Sequence, residues 1–472
     1  MAEYKVDTLI IGAGIGGYIS AIRLGQLGIK ALVVEKEKTL GGVCLNWGCI
    51  PSKSLINAAK AFEKTTTTNV KMGIHVENVS IDWNKTQEWK KTVVDSLTNG
   101  VAQLLKGNGA DHLFGTATFT SKTTADVLGS DGQNHKVTFK NSIIATGSSP
   151  VQIPGFEFDH KLILDSTDLI ELKTIPKSLI LIGGGVIGLE LGTVYAKLGT
   201  KVTVVEMMDQ LLPGTSKDVA TLVERKIKRH KADIFLNAKA KSWKKSGKEV
   251  ELTFEFEGKD QTVSAEMIAV VVGRKPNVKG FGAEKIGVEL TDRGFIKTND
   301  NLQTSVSNIY AVGDVVGQPM LAHKAAKEAE IAAENIKGHS YSVKDIKVIP
   351  GVIFTDPEVG IAGITEDDAK KLGRKIKLGK FPFAALGRAK STGDIEGFIK
   401  IVADEKSERI LGVEIVGPSA SDLISEAALM IEMGASLDDV HLTIHPHPTL
   451  GEGMMEAAKA AKGEAIHILN PK

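Results

Sequence analysis

Only two cysteines occur among the 472 residues of this chain. Such scarcity excludes a fold stapled together by disulfides. Aromatic residues make up 5% and the formal net charge is +1, so the chain offers neither a basic field nor a stacking platform, and no nucleic-acid partner is expected. Long apolar runs are missing as well. Stretches such as Leu179 to Ile182 and Ile268 to Val272 fall far short of the roughly 20 residues that span a bilayer, so no membrane association is expected. The opening Met1-Ala2-Glu3-Tyr4-Lys5-Val6-Asp7 carries no signal or transit peptide. These absences lead us to expect a cytoplasmic, reducing compartment, where two close thiols serve chemistry rather than architecture.

The thiols are close. Cys44 and Cys49 lie five positions apart within Gly41-Gly42-Val43-Cys44-Leu45-Asn46-Trp47-Gly48-Cys49-Ile50-Pro51-Ser52-Lys53. Too few thiolate or imidazole ligands stand nearby for zinc, and no metal is expected. A bridge closing so short a loop also adds little stability to so long a chain. Residues i and i+5 of a regular helix are about 8.7 Å apart at Cα, beyond the roughly 7 Å a disulfide tolerates. A bridge therefore needs a distorted first turn, with Cys44 at or before the helix start, and Gly48 and Pro51 already disfavour a regular interior. A thiolate near a helix N-terminus is favoured by the exposed N–H groups and the dipole. Lys53, four residues past Cys49, falls on the same face once the helix is regular and sets a positive charge beside the second thiol.

Glycine is abundant by contrast, and it repeats in a pattern. Residues 8–35 and 179–206 both run as an apolar strand, a glycine-rich turn, a helix and a second apolar strand ending in an acid. Gly12, Gly14, Gly17, Gly28 and Glu35 superpose on Gly183, Gly185, Gly188, Gly199 and Glu206 at a constant offset. In such a fingerprint the first glycine makes a tight turn, the second lets backbone approach a pyrophosphate, and the third lets helix and strand pack closely. The phosphates then sit on the helix N-terminus. Each acid hydrogen-bonds a ribose, and Glu206 repels a 2′-phosphate, so the second site is expected to take NAD rather than NADP.

Further landmarks complete the set. Short strands with turns at Gly115, Gly129 and Gly132 end in Ala145-Thr146-Gly147-Ser148, and a helix from Lys217 to His230 gives way to alternating strands. Then come Val272-Gly273-Arg274-Lys275-Pro276-Asn277, a strand ending at Gly313-Asp314, a helix from Ala322 to Ile336, another near 421–433, and the closing His445-Pro446-His447-Pro448-Thr449-Leu450-Gly451-Glu452. Together, and nearly end to end, these residues resemble the flavoprotein disulfide reductases, in particular the branch that oxidises dihydrolipoyl groups. The resemblance implies an α/β fold class: two Rossmann-like dinucleotide-binding domains, for FAD and NAD, plus a C-terminal α+β dimerisation domain. The expected boundaries are 1–149 for the FAD-binding domain, 150–276 for the NAD-binding domain, 277–345 for a segment completing the FAD domain, and 346–472 for dimerisation.

The resemblance also implies roles. FAD falls to Gly12, Gly14, Gly17, Glu35, Gly42, Cys44, Lys53, Gly115, Thr146, Gly147 and Ser148, with Asp314 on its sugar-phosphate portion and Met320, Leu321, Ala322 and His323 near the flavin ring. NAD falls to Gly183, Gly185, Val186, Ile187, Gly188, Glu190, Glu206 and Gly273. Lys53, paired with Glu190, is implied beside flavin N5. His447 is implied as the base for thiol exchange, Glu452 as its orienting partner, with a cis bond to Pro448 and with His447 reaching the disulfide of the opposite subunit of a homodimer. His445 is read as structural. Trp47 departs from the smaller aliphatic residue of relatives, and packing or substrate access is expected to differ there.

The activity so implied is oxidation of protein-bound dihydrolipoyl groups, through the Cys44–Cys49 disulfide and FAD, with NAD⁺ as acceptor. Its partners are the lipoyl domains of 2-oxo acid dehydrogenase or glycine cleavage complexes, the lipoyl group coming from another protein because the first fold begins near residue 5. A glutathione-reductase-like enzyme is the alternative, though such relatives carry basic residues where Glu206 stands. A non-catalytic nucleotide-binding redox sensor is the alternative from another class. The absence of a third cysteine speaks against reductases that carry an extra C-terminal redox pair.

Overall fold

Two parallel sheets, each built around an apolar strand buried on both faces, organise this chain. A computed structural model describes residues 2–470, apart from the side chains of Thr68 and Asn69. It divides into two units. The first holds the chain up to Ser54 with Asn84–Val151 and Gly273–Ile346, and the second holds Leu55–Trp83, Gln152–Val272 and the chain from Lys347 on.

In the first unit the strand Thr8–Ile11 lies between Ala31–Glu35 and Asn141–Ile144, all parallel, with Ile309–Ala311 beyond Asn141–Ile144 and the start of Asp111–Ser121 beyond Ala31–Glu35. Thr8–Ile11 and Ala31–Glu35 are buried at every residue. This is why they read as unbroken Leu, Ile and Val runs rather than alternating ones. The long strand Asp111–Ser121 continues into antiparallel pairing with Thr124–Gly129, which pairs in turn with Asn134–Thr138. The helix Ile15–Gln26 leaves the central strand through the first glycine turn, and its Arg23 is ion-paired to Glu334 on the helix Ala322–Lys337.

The second unit repeats the parallel core. Ser178–Ile182 lies between Lys201–Val205 and Met267–Val270, with Asp233–Phe235 and Ile163–Leu164 at the edges. The antiparallel triplet Lys239–Ser246, Glu249–Phe256 and Lys259–Ala265 precedes Met267–Val270 in the chain. From Lys347 on, a five-stranded antiparallel sheet forms in the order Gly351–Ile353, Glu358–Gly363, Ile410–Gly417, Phe398–Asp404, Ile376–Pro382. The helices Ala420–Met433 and Glu452–Lys462 pack against it. The helix expected to end at His230 stops at Arg229, with His230 as its C-cap, and the helix expected to end at Ile336 runs one residue further and closes on Gly338 at φ +106°. Gly338 ends it because only glycine adopts that backbone without a Cβ penalty. Among the described residues no helix is long and apolar enough to cross a membrane.

One buried charge cluster ties the C-terminal sheet to the second parallel fold. Lys400, 4% exposed, lies 2.8 Å from the carboxylate of Glu414, which is fully buried, and 3.1 Å from Asp218 at the start of the helix Lys217–Arg229. Burial works against the charge on Asp218, yet Lys380, Ser216 and Lys400 outweigh it and hold its carboxyl well below the usual range. Removing one member leaves an uncompensated buried charge. Lys400→Met should therefore destabilise the protein by about 3–5 kcal/mol in urea unfolding, while Lys400→Met combined with Glu414→Leu should recover most of that loss. Unchanged stability in the single variant would show that the pair is not sealed from water.

Candidate redox and nucleotide sites

The two cysteines sit on different helices. Cys44 lies in the five-residue helix Gly42–Asn46, the chain breaks at Trp47 and Gly48, and a new helix runs from Cys49 to Thr66. The distortion required by the five-residue spacing thus takes the form of a break rather than a bent first turn. Pro51 stands in the first turn of the second helix, where its missing N–H costs nothing. Asn46 holds the short helix in place by donating to the carbonyls of Leu40 and Gly42, at 2.9 Å each.

Both cysteines are half-buried thiols. A hydrogen bond with Cys49 pushes the ionisation of Cys44 far up, burial and the Cys49 charge add to this, and Lys53 pulls the other way. Cys49 stands at the N-terminus of the longer helix, where exposed N–H groups favour a thiolate. Tyr18, on the helix Ile15–Gln26, is a neighbour of Cys44 that sequence reasoning missed; burial raises its phenol above the ordinary value.

The two glycine turns are built alike, and a carboxylate closes each. Glu35 accepts the Ala13 N–H at 2.6 Å and the Glu37 N–H at 2.9 Å. Glu206 accepts the Gly184 N–H at 2.5 Å and the Met208 N–H at 2.8 Å. Each acid thus bolts the glycine turn to the end of the neighbouring strand. Both are buried, at 6% and 7% exposure, and a carboxylate oxygen has a further lone pair for a ribose hydroxyl.

The glycines themselves leave a cradle. A Cβ on Gly17 would lie 1.8 Å from the Gly12 carbonyl, and one on Gly188 would lie 2.7 Å from the Gly183 carbonyl, so the third glycine in each copy permits close helix–strand packing. Gly12 and Gly183 turn at φ +98° and +112°. Gly185 faces open space, and a Cβ on Gly14 would meet only Gly42, at 3.9 Å. The helices Ile15–Gln26 and Val186–Lys197 both start without a side-chain cap and without an acid in the first turn. Uncapped N–H groups over an open glycine fit a pyrophosphate in both copies.

Around the first turn the structure gathers most of the residues expected for FAD. Gly42 approaches Gly14, Gly12 lies against Ala145, and Ser148 donates to Asp314 at 2.5 Å. Gly115 lies on the strand beside Glu35, one residue past Phe114, its register partner, and its missing side chain makes room for Leu128 and Gly129. Leu321 precedes the helix that carries Ala322 and His323, and Met320 follows the cis peptide Gln318–Pro319. Gly183, Gly185, Val186, Ile187, Gly188, Glu190 and Glu206 share the second unit, whereas Gly273 falls at the start of a segment of the first.

Glu190 is buried, at 4% exposure, and accepts the Phe354 N–H at 2.8 Å. Two turns further along the same helix face, Lys197 is ion-paired to Asp356 and, at 2.7 Å, to Glu63. The segment Phe354–Asp356 thus fixes the rotation of the helix that bears Glu190. His447 and Glu452 meet directly: His447 Nδ1 is 2.8 Å from Glu452 Oε1, Thr449 N–H donates to Oε2, and the His447–Pro448 peptide is cis. Burial opposes the charge on Glu452, but these two bonds outweigh it and lower its carboxyl. The His447 ring is 77% exposed in the single chain, with Nε2 pointing away from the bonded edge. His445 is bonded to Glu426 at 2.9 Å with only 6% of its side chain exposed, the environment of a structural histidine.

Residues 6–329 match the family model of the pyridine nucleotide-disulphide oxidoreductases, and residues 349–458 match the dimerisation domain of the same family. Dihydrolipoyl dehydrogenase of Bacillus subtilis is 48% identical over 98% of both chains, and those of Geobacillus stearothermophilus and Haloferax volcanii are 47% and 46% identical at the same coverage. Among solved structures, LpdA from Mycobacterium tuberculosis superposes with a TM-score of 0.89 at 25% identity, over 96% of this chain and 99% of that one. The flavoprotein disulfide reductase RclA from Escherichia coli does so at 0.87 and 26%, over the same shares. With its paired glycine turns, adjacent thiols and C-terminal imidazole–carboxylate pair, the chain belongs to the pyridine nucleotide-disulphide oxidoreductases, in the dihydrolipoyl dehydrogenase branch of that family.

Proposed function

We propose that this chain, as a homodimer, oxidises protein-bound dihydrolipoyl groups to the lipoyl disulfide and delivers the electrons to NAD⁺. The observation that carries this reading is the thiol pair itself, with Cys44 on the short helix Gly42–Asn46 and Cys49 opening the helix Cys49–Thr66, joined by a hydrogen bond that pushes the ionisation of Cys44 up. An enzyme of this kind needs one sulfur for exchange with substrate and another held as thiolate for the cofactor. The first glycine turn with Glu35, Ser148 and Asp314 would hold FAD, which would supply a two-electron relay between the cysteine pair and NAD⁺.

Starting from the Cys44–Cys49 disulfide, a substrate thiol gives its proton to His447 Nε2 and its sulfur attacks Cys44, with Cys49 leaving as a thiolate. The second substrate thiol attacks the substrate sulfur of the mixed disulfide, its proton passing to the departing Cys44 sulfur. Lipoyl disulfide leaves, and Cys44 is released reduced. Two electrons have passed from substrate to the cysteine pair. Glu452 keeps the Nδ1–H of His447 directed inward, so that Nε2 is the acceptor. In the homodimer His447 serves the cysteine pair of the opposite subunit, which accounts for a ring so exposed in one chain. Exposed Met433, Leu442, Ile444 and Leu469 supply apolar surface for the subunit contact. The lipoyl group arrives on a domain of a 2-oxo acid dehydrogenase or glycine cleavage complex, in the reducing cytoplasm.

The decisive measurement is anaerobic reduction of NAD⁺ or NADP⁺ by dihydrolipoamide. Rapid NADH formation with little NADPH is expected; no turnover from a yellow, FAD-loaded protein would move the substrate to another disulfide. Cys49→Ser should abolish lipoyl turnover, and full turnover in that variant would remove the cysteine relay. His447→Gln should lower kcat by about 10²–10⁴-fold with FAD content intact; an unchanged rate would reassign the base. Glu206→Ala, which leaves the Gly184 and Met208 N–H groups without their acceptor, should raise KM for NAD⁺ about tenfold or more while KM for dihydrolipoamide stays constant.

A further inference from the structure

Behind Asp314 lies a chain of three groups. Ser148 Oγ donates to Asp314 Oδ2 at 2.5 Å, and the same oxygen accepts from Arg274 Nε at 2.8 Å. Arg274 Nη2 also donates to the Ser148 carbonyl, at 2.6 Å. A hydroxyl has one proton, and a guanidinium can only donate. With Arg274 occupying an acceptor site on Oγ, the serine proton has one charged destination, the carboxylate. The two-point grip of the guanidinium fork also fixes the Ser148 side chain against its own carbonyl.

The surroundings hold this arrangement rigid. Arg274–Pro276 pairs antiparallel with Ser148–Pro150. Asn277 closes the end of that ribbon: its N–H donates to the Gly147 carbonyl at 2.9 Å, its side-chain amide donates to the Thr146 carbonyl at 3.0 Å, and the Thr146 hydroxyl donates to the Asn277 carbonyl at 2.6 Å. From the other side Glu328, 5% exposed, accepts the Gly313 N–H at 2.7 Å and is ion-paired to Lys324 at 2.6 Å. Asp314 is therefore held at its backbone turn by Glu328 and at one carboxylate oxygen by Ser148. Its Oδ1 accepts no hydrogen bond among the described residues. Ser148 is 4% exposed, too deep for its hydroxyl to trade these partners for bulk water.

We propose that Arg274 is a positioning residue for the flavin nucleotide: acting through the Ser148 hydroxyl, it fixes the Asp314 carboxylate so that Oδ1 faces a hydroxyl of the sugar-phosphate portion. This rests on the reading of Asp314 as an FAD contact. The cation acts on the acid through the serine. It sets the direction of one proton, and that proton sets the orientation of the acid.

The test is FAD binding to flavin-depleted dimer, titrated by quenching of flavin fluorescence, with thermal unfolding of the same preparations as control. Ser148→Ala and Arg274→Met should each weaken FAD binding about tenfold, the loss of one charge-assisted hydrogen bond. The double variant should be no weaker than either single one, because both changes break the same chain. Ser148→Thr, which keeps the hydroxyl, should bind FAD nearly as the unaltered protein does, and the apoprotein unfolding temperatures should match. Wild-type affinity in Ser148→Ala, additive losses in the double variant, or equal loss in Ser148→Thr would each overturn the relay alone. Failure of the unaltered protein to bind FAD would instead overturn the cofactor assignment, and the relay with it.

Discussion

A buried carboxylate reaching back to the N–H of a glycine turn is the contact on which the rest of this structure depends, and it occurs twice. Each turn lies where the central strand of a parallel sheet has a neighbour on both sides, the position at which open α/β sheets bind their ligands. A turn containing three glycines has much conformational freedom to lose. Glu35 and Glu206 remove that freedom by binding the residue between the first two glycines, Ala13 and Gly184. With the turn held, the helix behind it starts uncapped at a defined place, and its N–H groups remain available for phosphate.

Charge burial then orders the second unit. Lys197 holds Glu63 and Asp356, Lys400 holds Glu414 and Asp218, and both lysines are almost inaccessible to water. Burial penalises both cations, yet their acids outweigh it and raise them above their ordinary values. Pairs of this kind contribute little net stability, but they punish every alternative packing that separates the partners. The Lys197 cluster also bears on Glu190, because the segment it anchors supplies the Phe354 N–H to that carboxylate.

Much of this was legible in the sequence, for a physical reason. A glycine fingerprint writes a backbone requirement into residue identity, and strands buried on both faces write themselves as apolar runs, so the two parallel folds could be read directly. The thiol spacing likewise announced a distortion with Cys44 at or before the helix start, and the structure places Cys44 before the helix that begins at Cys49, on a short helix of its own that stops at Trp47 and Gly48. Contacts made by backbone were not legible. The Phe354 N–H would be offered by almost any residue, so nothing at position 354 advertised its bond to Glu190. Arg274, Ser148 and Asp314 were each noticed as parts of separate motifs, but 126 and 166 residues separate the serine from its partners, and no local period links them. Glu328 was hidden in an alanine-rich helix as an ordinary surface acid until the fold buried it against Gly313.

The double engagement of Glu206 bears on how the preference of the second site could change over evolutionary time. Replacing the acid by a basic residue would remove the repulsion towards a 2′-phosphate and, in the same step, strip two backbone N–H groups of their acceptor. The intermediate would have gained a welcoming charge and lost the turn that positions the nucleotide. A substitute acceptor for the Gly184 and Met208 amides would restore the support that such a replacement removes. Cofactor choice is in this sense tied to architecture, because a substitution at position 206 changes the charge at the site and the support of its turn together.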